Sequence, residues 1–189
     1  MTVIVSITDG DTIYMGGDRA ASDEECIVSL SRPKIHVKDG WIFGYSGSLG
    51  TGQLMEFVNF PDPYKDDPYK LLRLDVVSNL KRMMDSNGDA DKDNGTDFLI
   101  GTRGRVFEFN TSDWSVAEVD EVAVGSGSHF ALGSLYTSID KQPIERIGLA
   151  LSAAITYSPT CQGPIDVLTL EANPVNNVAP IKRTRVKKS

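Results

Sequence analysis

Cysteine is scarce in this chain: Cys26 and Cys161 are the only two. A disulfide framework is therefore not expected, and the protein is read as working reduced, in the cytoplasm. Histidine is equally scarce. His36 and His129 have no cysteine or histidine at ligand spacing, so no zinc site is expected. No apolar run approaches the roughly 20 residues of a membrane span, and the beginning lacks the basic head and apolar stretch of a signal peptide. Basic charge is in deficit, with 19 Lys and Arg against 26 Asp and Glu and a net charge of −7, which argues against a nucleic-acid partner. The deficit is uneven, because the tail "IKRTRVKKS" holds five of the basic residues and no acid. A solvated terminus is expected there.

What is present is an ordinary globular composition, 40% apolar and 24% charged over 189 residues, enough for one domain with a substantial core. That domain is expected over 1–180, with the basic tail at 181–189. Residues 2–8, "TVIVSIT", alternate and are β-branched, which predicts a strand. "DGD" turns, and "TIYMGGDRA" returns as the partner of a hairpin. Short strands follow at "CIVSLS", "KIHV" and "WIFGYSG". After Gly47 the spacing becomes helical through "SLGTGQLMEFVNF", and "PDPYKDDP" ends that segment. Over 69–84, Leu72, Val76, Leu80 and Met83 share one helical face. Strands resume at "TDFLIGT", "RVFEFNT" and "EVAVGSGS". Two helices, about 129–139 and 143–157, precede a last strand at "IDVLTLEA". Segregated runs of strands and helices predict an α+β fold of stacked layers rather than a doubly wound parallel sheet.

Several motifs fail on chemistry. Asp89, Asp91 and Asp93 resemble the start of a calcium loop, but Asn94 and Ile100 stand where glycine and glutamate are needed. "GSGSHFALG" lacks the Lys-Ser/Thr of a phosphate-binding loop, and no G-x-S-x-G elbow occurs. No metal or organic cofactor is expected. One set of residues makes chemical sense together. If Met1 is removed, Thr2 carries a hydroxyl and a free α-amine, a nucleophile with its own base. The amine titrates near neutrality. A hairpin lays Asp18 beside Thr2, and a neighbouring strand can bring in Lys34 to favour the neutral amine, with Asp18 balancing its charge. The N–H of Gly47, at a strand-to-helix junction, can face an oxyanion. Each residue also has an ordinary explanation: a common second residue, a salt bridge, a steric glycine.

"TVIVSITDGDTIYMGGDRAAS", "RPKIHVKDGWIFGYSGSLG", "AVGSGSHFALGSLY" and "GPIDVLTL" stand in an order and separation similar to those of proteasome β-subunits and the bacterial peptidase HslV. The resemblance runs from residue 2 to about 172. It implies an N-terminal nucleophile (Ntn) hydrolase: a four-layer αββα sandwich with two antiparallel sheets between helical layers. It further implies a threonine peptidase cleaving unfolded polypeptides inside a homo-oligomeric ring, with an ATPase unfoldase as a candidate partner and no membrane. Thr2 would be the nucleophile, Asp18 and Lys34 its electrostatic partners and Gly47 the oxyanion donor. Ser126 would sit near the Thr2 amine. Ser22 would hold the substrate backbone, and Arg32, His36 and Tyr45 would line the side-chain pocket. No leader is expected ahead of Thr2 beyond Met1. Two positions depart from the pattern: Ser158 stands where many relatives have an aspartate, and Cys161 where a serine accompanies it. These departures keep two other readings open, a catalytically silent subunit of the same fold and an amidase acting on a small amide.

Overall fold

The computed structural model describes residues 2–22, 26–87 and 95–172. Met1, the carboxylates of Asp89, Asp91 and Asp93, and the basic tail lie outside them. The expected opening hairpin is present. Strands β1 (Ile4–Asp9) and β2 (Thr12–Asp18) pair from Ile4 opposite Gly17 to Asp9 opposite Thr12. With β10 (Glu121–Val124) and β11 (Ile165–Glu171) they make a four-stranded sheet in the order β10-β1-β2-β11. A five-stranded sheet runs β5-β6-β7-β8-β9, from β5 (Ile35–Lys38) through β6 (Trp41–Ser46), β7 (Asp97–Thr102) and β8 (Arg105–Asn110) to β9 (Val116–Val119). Strands β3 (Ala20–Ser22) and β4 (Ile27–Ser29) form a separate ribbon. Every pairing among the described strands is antiparallel.

The layers follow from the two-residue period of the strands. Along β1, Val5 and Ile7 (with Val3 just before it) point to one side, where they pack on Ala131 and Leu135 of α4 (Ser128–Thr137) and on Ile147, Ala150, Leu151 and Ala154 of α5 (Pro143–Tyr157). Ile4 points to the other side and joins Ile13, Met15, Ile35, Ile42 and Leu99 in a core between the two sheets. The five-stranded sheet does the same in reverse. Trp41, Phe43 and Tyr45 turn outward onto Met55, Leu72, Val76 and Leu80, which belong to the helices on the far side. That helical layer comprises α1 (Leu49–Leu54), a 3-10 turn at Met55–Phe57, α2 (Pro68–Leu71), a π-helical stretch at Leu72–Val76 and α3 (Val77–Asn87). Three cores between four layers define an αββα sandwich. Among the described residues no helix is long and apolar enough to cross a membrane.

Three details differ from expectation. The second strand ends at Asp18 rather than continuing to Ala20, because Arg19 turns aside to Asp166 and to the Ser31 carbonyl. The helix over 69–84 is broken by a π-helical stretch, Leu72–Val76. Its wider turn lets Val76 and the adjacent Val77 both reach the core. Finally, β9 was not expected: its central Ala117 and Glu118 are exposed, so it lacks the alternation by which a strand is read.

Candidate active site

The site lies at the end of the sheets where β1 begins and β2, β6 and β10 finish. Antiparallel pairing puts the Asp18 N–H on the Val3 carbonyl at 3.2 Å, which turns the Asp18 carboxylate back over the start of β1. Asp18 Oδ1 accepts from the Thr2 hydroxyl, from Val3 N at 3.2 Å and from Lys34 Nζ at 3.5 Å. Asp18 Oδ2 accepts from Gln162 N at 3.1 Å. Four donors converging on one carboxylate satisfy its oxygens and fix its orientation. Lys34 arrives just ahead of β5 and also donates to the Ala20 carbonyl. Thr2, Asp18 and Lys34 are all buried, at 1%, 1% and 4% exposure. Burial pulls the Lys34 ammonium below the usual lysine range, and the charge and hydrogen bond of Asp18 offset part of that shift.

The main chain of Thr2 is held from the opposite side. Its carbonyl oxygen accepts from Gly127 N at 3.3 Å and from Ser126 Oγ at 3.4 Å. The turn that supplies both donors starts at Gly125, with φ +94°. A Cβ there would collide with the Thr2 carbonyl oxygen and lie 2.5 Å from Ser46 Oγ, so only glycine fits. Gly125 is thus wedged between Thr2 and Ser46 of the second sheet, with Gly47 the next residue along from Ser46. Gly47 is exposed, with φ +120°, and Ser48 N donates to Thr96 Oγ1 at 3.2 Å, which fixes the junction.

Thr2, Asp18, Lys34 and Ser126 are thus joined by hydrogen bonds, and Gly47 adjoins them through Ser46 and Gly125. Arg32, His36 and Tyr45 form a second group. Arg32 pairs with Glu56 at 2.7 Å, and His36 Nε2 lies 3.8 Å from the same carboxylate. Tyr45 is buried at 2% exposure with its ring against Gly52. Ser22 ends β3 on the separate ribbon, opposite Ile27. Ser158 caps α5 and is buried, as is Cys161. Burial pushes the Cys161 thiol up, against the hydroxyls of Ser158 and Ser126 that favour its ionised form. Sequence reasoning missed Glu56, Thr160 and Gln162, which carry no local signal, whereas Gly125 lies in the glycine-rich turn it singled out after β10. Among the described residues no group of three or more His, Cys, Asp or Glu side chains could hold a metal.

Tyr45 yields a pH dependence. Burial, then the nearby Glu56 charge, push its phenol up to about 12. The unfolded chain releases this proton near pH 10 and the folded one near 12, so the stabilisation is complete below about pH 10 and is lost as pH rises through the folded value. Tyr45→Phe is expected to spare the protein roughly 1 kcal/mol of the loss between about pH 9 and about pH 11. Urea unfolding of both proteins at the two pH values checks this.

The fold itself has known counterparts: the chain has an αββα sandwich of the Ntn-hydrolase type, similar to that of BPH, HslV and Anbu proteins. Three solved structures illustrate the likeness. The Thiobacillus denitrificans BPH protein in complex with epoxomicin matches at a TM-score of 0.73 and 18% identity, over 92% of this chain and 100% of that one. HslV from Trypanosoma brucei matches at 0.70 and 21%, over 90% and 99%. A Gly-1 mutant of Anbu from Hyphomicrobium sp. strain MC1 matches at 0.71 and 14%, over 97% and 87%. No family model matches the chain.

Proposed function

We propose that this chain is a threonine-type peptidase acting on unfolded polypeptide, with Thr2 as nucleophile once Met1 has been removed. The observation that carries the reading is the convergence of the Thr2 hydroxyl and the Lys34 ammonium on one oxygen of Asp18. Asp18 and Lys34 orient the hydroxyl, and the buried positive charge favours a neutral amine. Thr2 Oγ1 attacks the scissile carbonyl carbon, and its proton passes to the Thr2 amine. The tetrahedral oxyanion is met by the Gly47 N–H. The amine returns the proton to the leaving nitrogen as the C–N bond breaks, leaving an ester on Thr2. Water then adds to that ester, giving one proton to the amine, and the proton goes back to Thr2 Oγ1 as the acid departs.

Arg32, His36 and Tyr45, gathered around Glu56, are assigned to the pocket for the substrate side chain, and Ser22 to the substrate backbone. The likeness to HslV supports assembly of copies into a ring, with an ATPase as candidate partner. The exposed Phe130, Tyr136, Ile139 and Tyr157 on and beside α4 and α5 also support association of copies, because apolar groups clustered at a surface favour burial. The second reading, a silent subunit, is favoured by Ser158 and Cys161, which bring no charge to the place where many resembling chains have a carboxylate.

Epoxomicin separates the two. This peptide epoxyketone closes a ring with both the hydroxyl and the amine of an N-terminal threonine. Intact mass spectrometry of the protein from cells is expected to show a chain lacking Met1, gaining one epoxomicin per chain. A retained Met1 with no adduct would establish the silent reading instead.

A further inference from the structure

Beyond Ser126 the hydrogen bonding does not stop. Ser126 Oγ lies 2.6 Å from Thr160 Oγ1, and Thr160 Oγ1 lies 3.1 Å from Ser158 Oγ. Either hydroxyl of each pair can donate. Three hydroxyls therefore connect the α5 terminus to the main chain of Thr2, with the Cys161 thiol beside Ser158 and Ser126. The loop that carries Thr160 is tied to the same site, since Gln162 N donates to Asp18.

Each hydroxyl has one hydrogen and two lone pairs, so the row has two concerted orientations. In one, Ser158 donates to Thr160, Thr160 to Ser126 and Ser126 to the Thr2 carbonyl. In the other, Ser126 donates to Thr160 and Thr160 to Ser158, and the lone pairs of Ser126 face Thr2. The first suits a neutral Thr2 amine. The second suits an ammonium, which has protons to donate and needs an acceptor. A carboxylate would perform the second role permanently; a hydroxyl row performs it only while its dipoles point away.

We propose that Thr160 is a positioning residue of the Thr2 site: its hydroxyl couples Ser126 to Ser158, and Ser126, bonded to the Thr2 carbonyl, comes within reach of the amine freed by removal of Met1, so that the row reverses as that amine gains and loses its proton. The proposal rests on the peptidase reading and adds to it how a site with Ser158 in place of a carboxylate supports the protonated amine. Thr160 touches neither substrate nor reacting atoms; it acts through Ser126. Of the charged and titratable groups around the site, Asp18 of β2 bonds the Thr2 hydroxyl, Lys34 ahead of β5 bonds Asp18, and the Cys161 thiol after α5 lies against Ser126 and Ser158. Because the thiol borders the row, each variant is also measured with Cys161→Ala, so that a change in pH behaviour reports on the hydroxyls and not on Cys161.

The test is the rate of epoxomicin adduct formation against pH, followed by intact mass, for the full-length wild type, Thr160→Val and Thr160→Ser. Valine keeps the shape and removes the coupling, and Thr160→Ala serves if valine disturbs the loop. Thr160→Val is expected to react about five- to tenfold more slowly on the plateau, the effect of one hydrogen bond. Its acid limb should move down by about half a pH unit, because an ammonium with a poorer acceptor loses its proton more readily. Thr160→Ser should restore both. An unmoved Thr160→Val profile would overturn the row, and so would a serine variant as slow as valine, which would mark a packing role for the methyl group. Those results leave the peptidase reading standing. A wild type that takes no adduct would overturn both.

Discussion

Thr2→Ala is expected to reduce hydrolysis of a fluorogenic peptide to background, a loss of at least about 10⁴-fold, while leaving the fold in place. Alanine is small enough for Met1 still to be removed, so the variant keeps the amine and lacks only the hydroxyl. The structural cost is small because Asp18 retains Val3 N, Lys34 Nζ and Gln162 N as donors. One lost hydrogen bond is worth about 1 kcal/mol, which for a chain of this size lowers the melting midpoint by roughly 2–4 °C. Activity and melting measured on the same preparation test both halves. Substantial hydrolysis by a folded Thr2→Ala protein would place any activity elsewhere and end the threonine-peptidase reading.

Asp18→Ala is expected to lose both activity and stability. Four donors lose their acceptor at once, and the Lys34 ammonium, at 4% exposure, keeps only the Ala20 carbonyl. Breaking a buried pair in this way costs about 3–5 kcal/mol, against a total of about 5–15 kcal/mol for a typical domain. Peptidase activity should fall by at least about 10³-fold, since the hydroxyl loses its orienting acceptor as the main chain around it loosens. The double variant Asp18→Ala with Lys34→Met removes the stranded charge. It should recover at least half of the lost stability in urea unfolding and none of the activity. A single variant as stable as wild type would show that the pair is not held in a desolvated site.

These two expected outcomes differ because Thr2 and its support come from different levels of the molecule. Thr2, Asp18 and Lys34 were legible in the sequence: alternation over residues 2–8 and the "DGD" turn bring Asp18 beside Thr2, and the short strand after Lys34 brings in its ammonium. Gly47 was legible as a junction between a strand and a helix. Glu56, Thr160 and Gln162 were not, because nothing local marks them. Glu56 is one acid on an amphipathic segment, and it acquires meaning only when folding brings Arg32 and His36 to it. Gln162 contributes a backbone N–H, which its residue type does not encode. The layers followed from the segregation of strands and helices. The exposed edge strand β9 and the π-helical stretch at Leu72–Val76 depend on packing: β9 lacks the alternation of a strand, and the regular helical spacing of Leu72 and Val76 gives no sign of a widened turn.

The hydrogen bonds that tie Thr2 to Ser126, and Asp18 to Gln162, join residues separated by 124 and 144 positions. During synthesis Thr2 and Asp18 leave the ribosome long before these partners, which are then still untranslated. Until β10 and the turn after it have docked beside β1, Thr2 has no clamp on its carbonyl. Until the segment after α5 has closed, Asp18 lacks its fourth donor. On the peptidase reading, a nascent or truncated chain therefore carries the Thr2 hydroxyl in an unarmed form, and completion of the fold is the safeguard that keeps a half-made copy from attacking its neighbours.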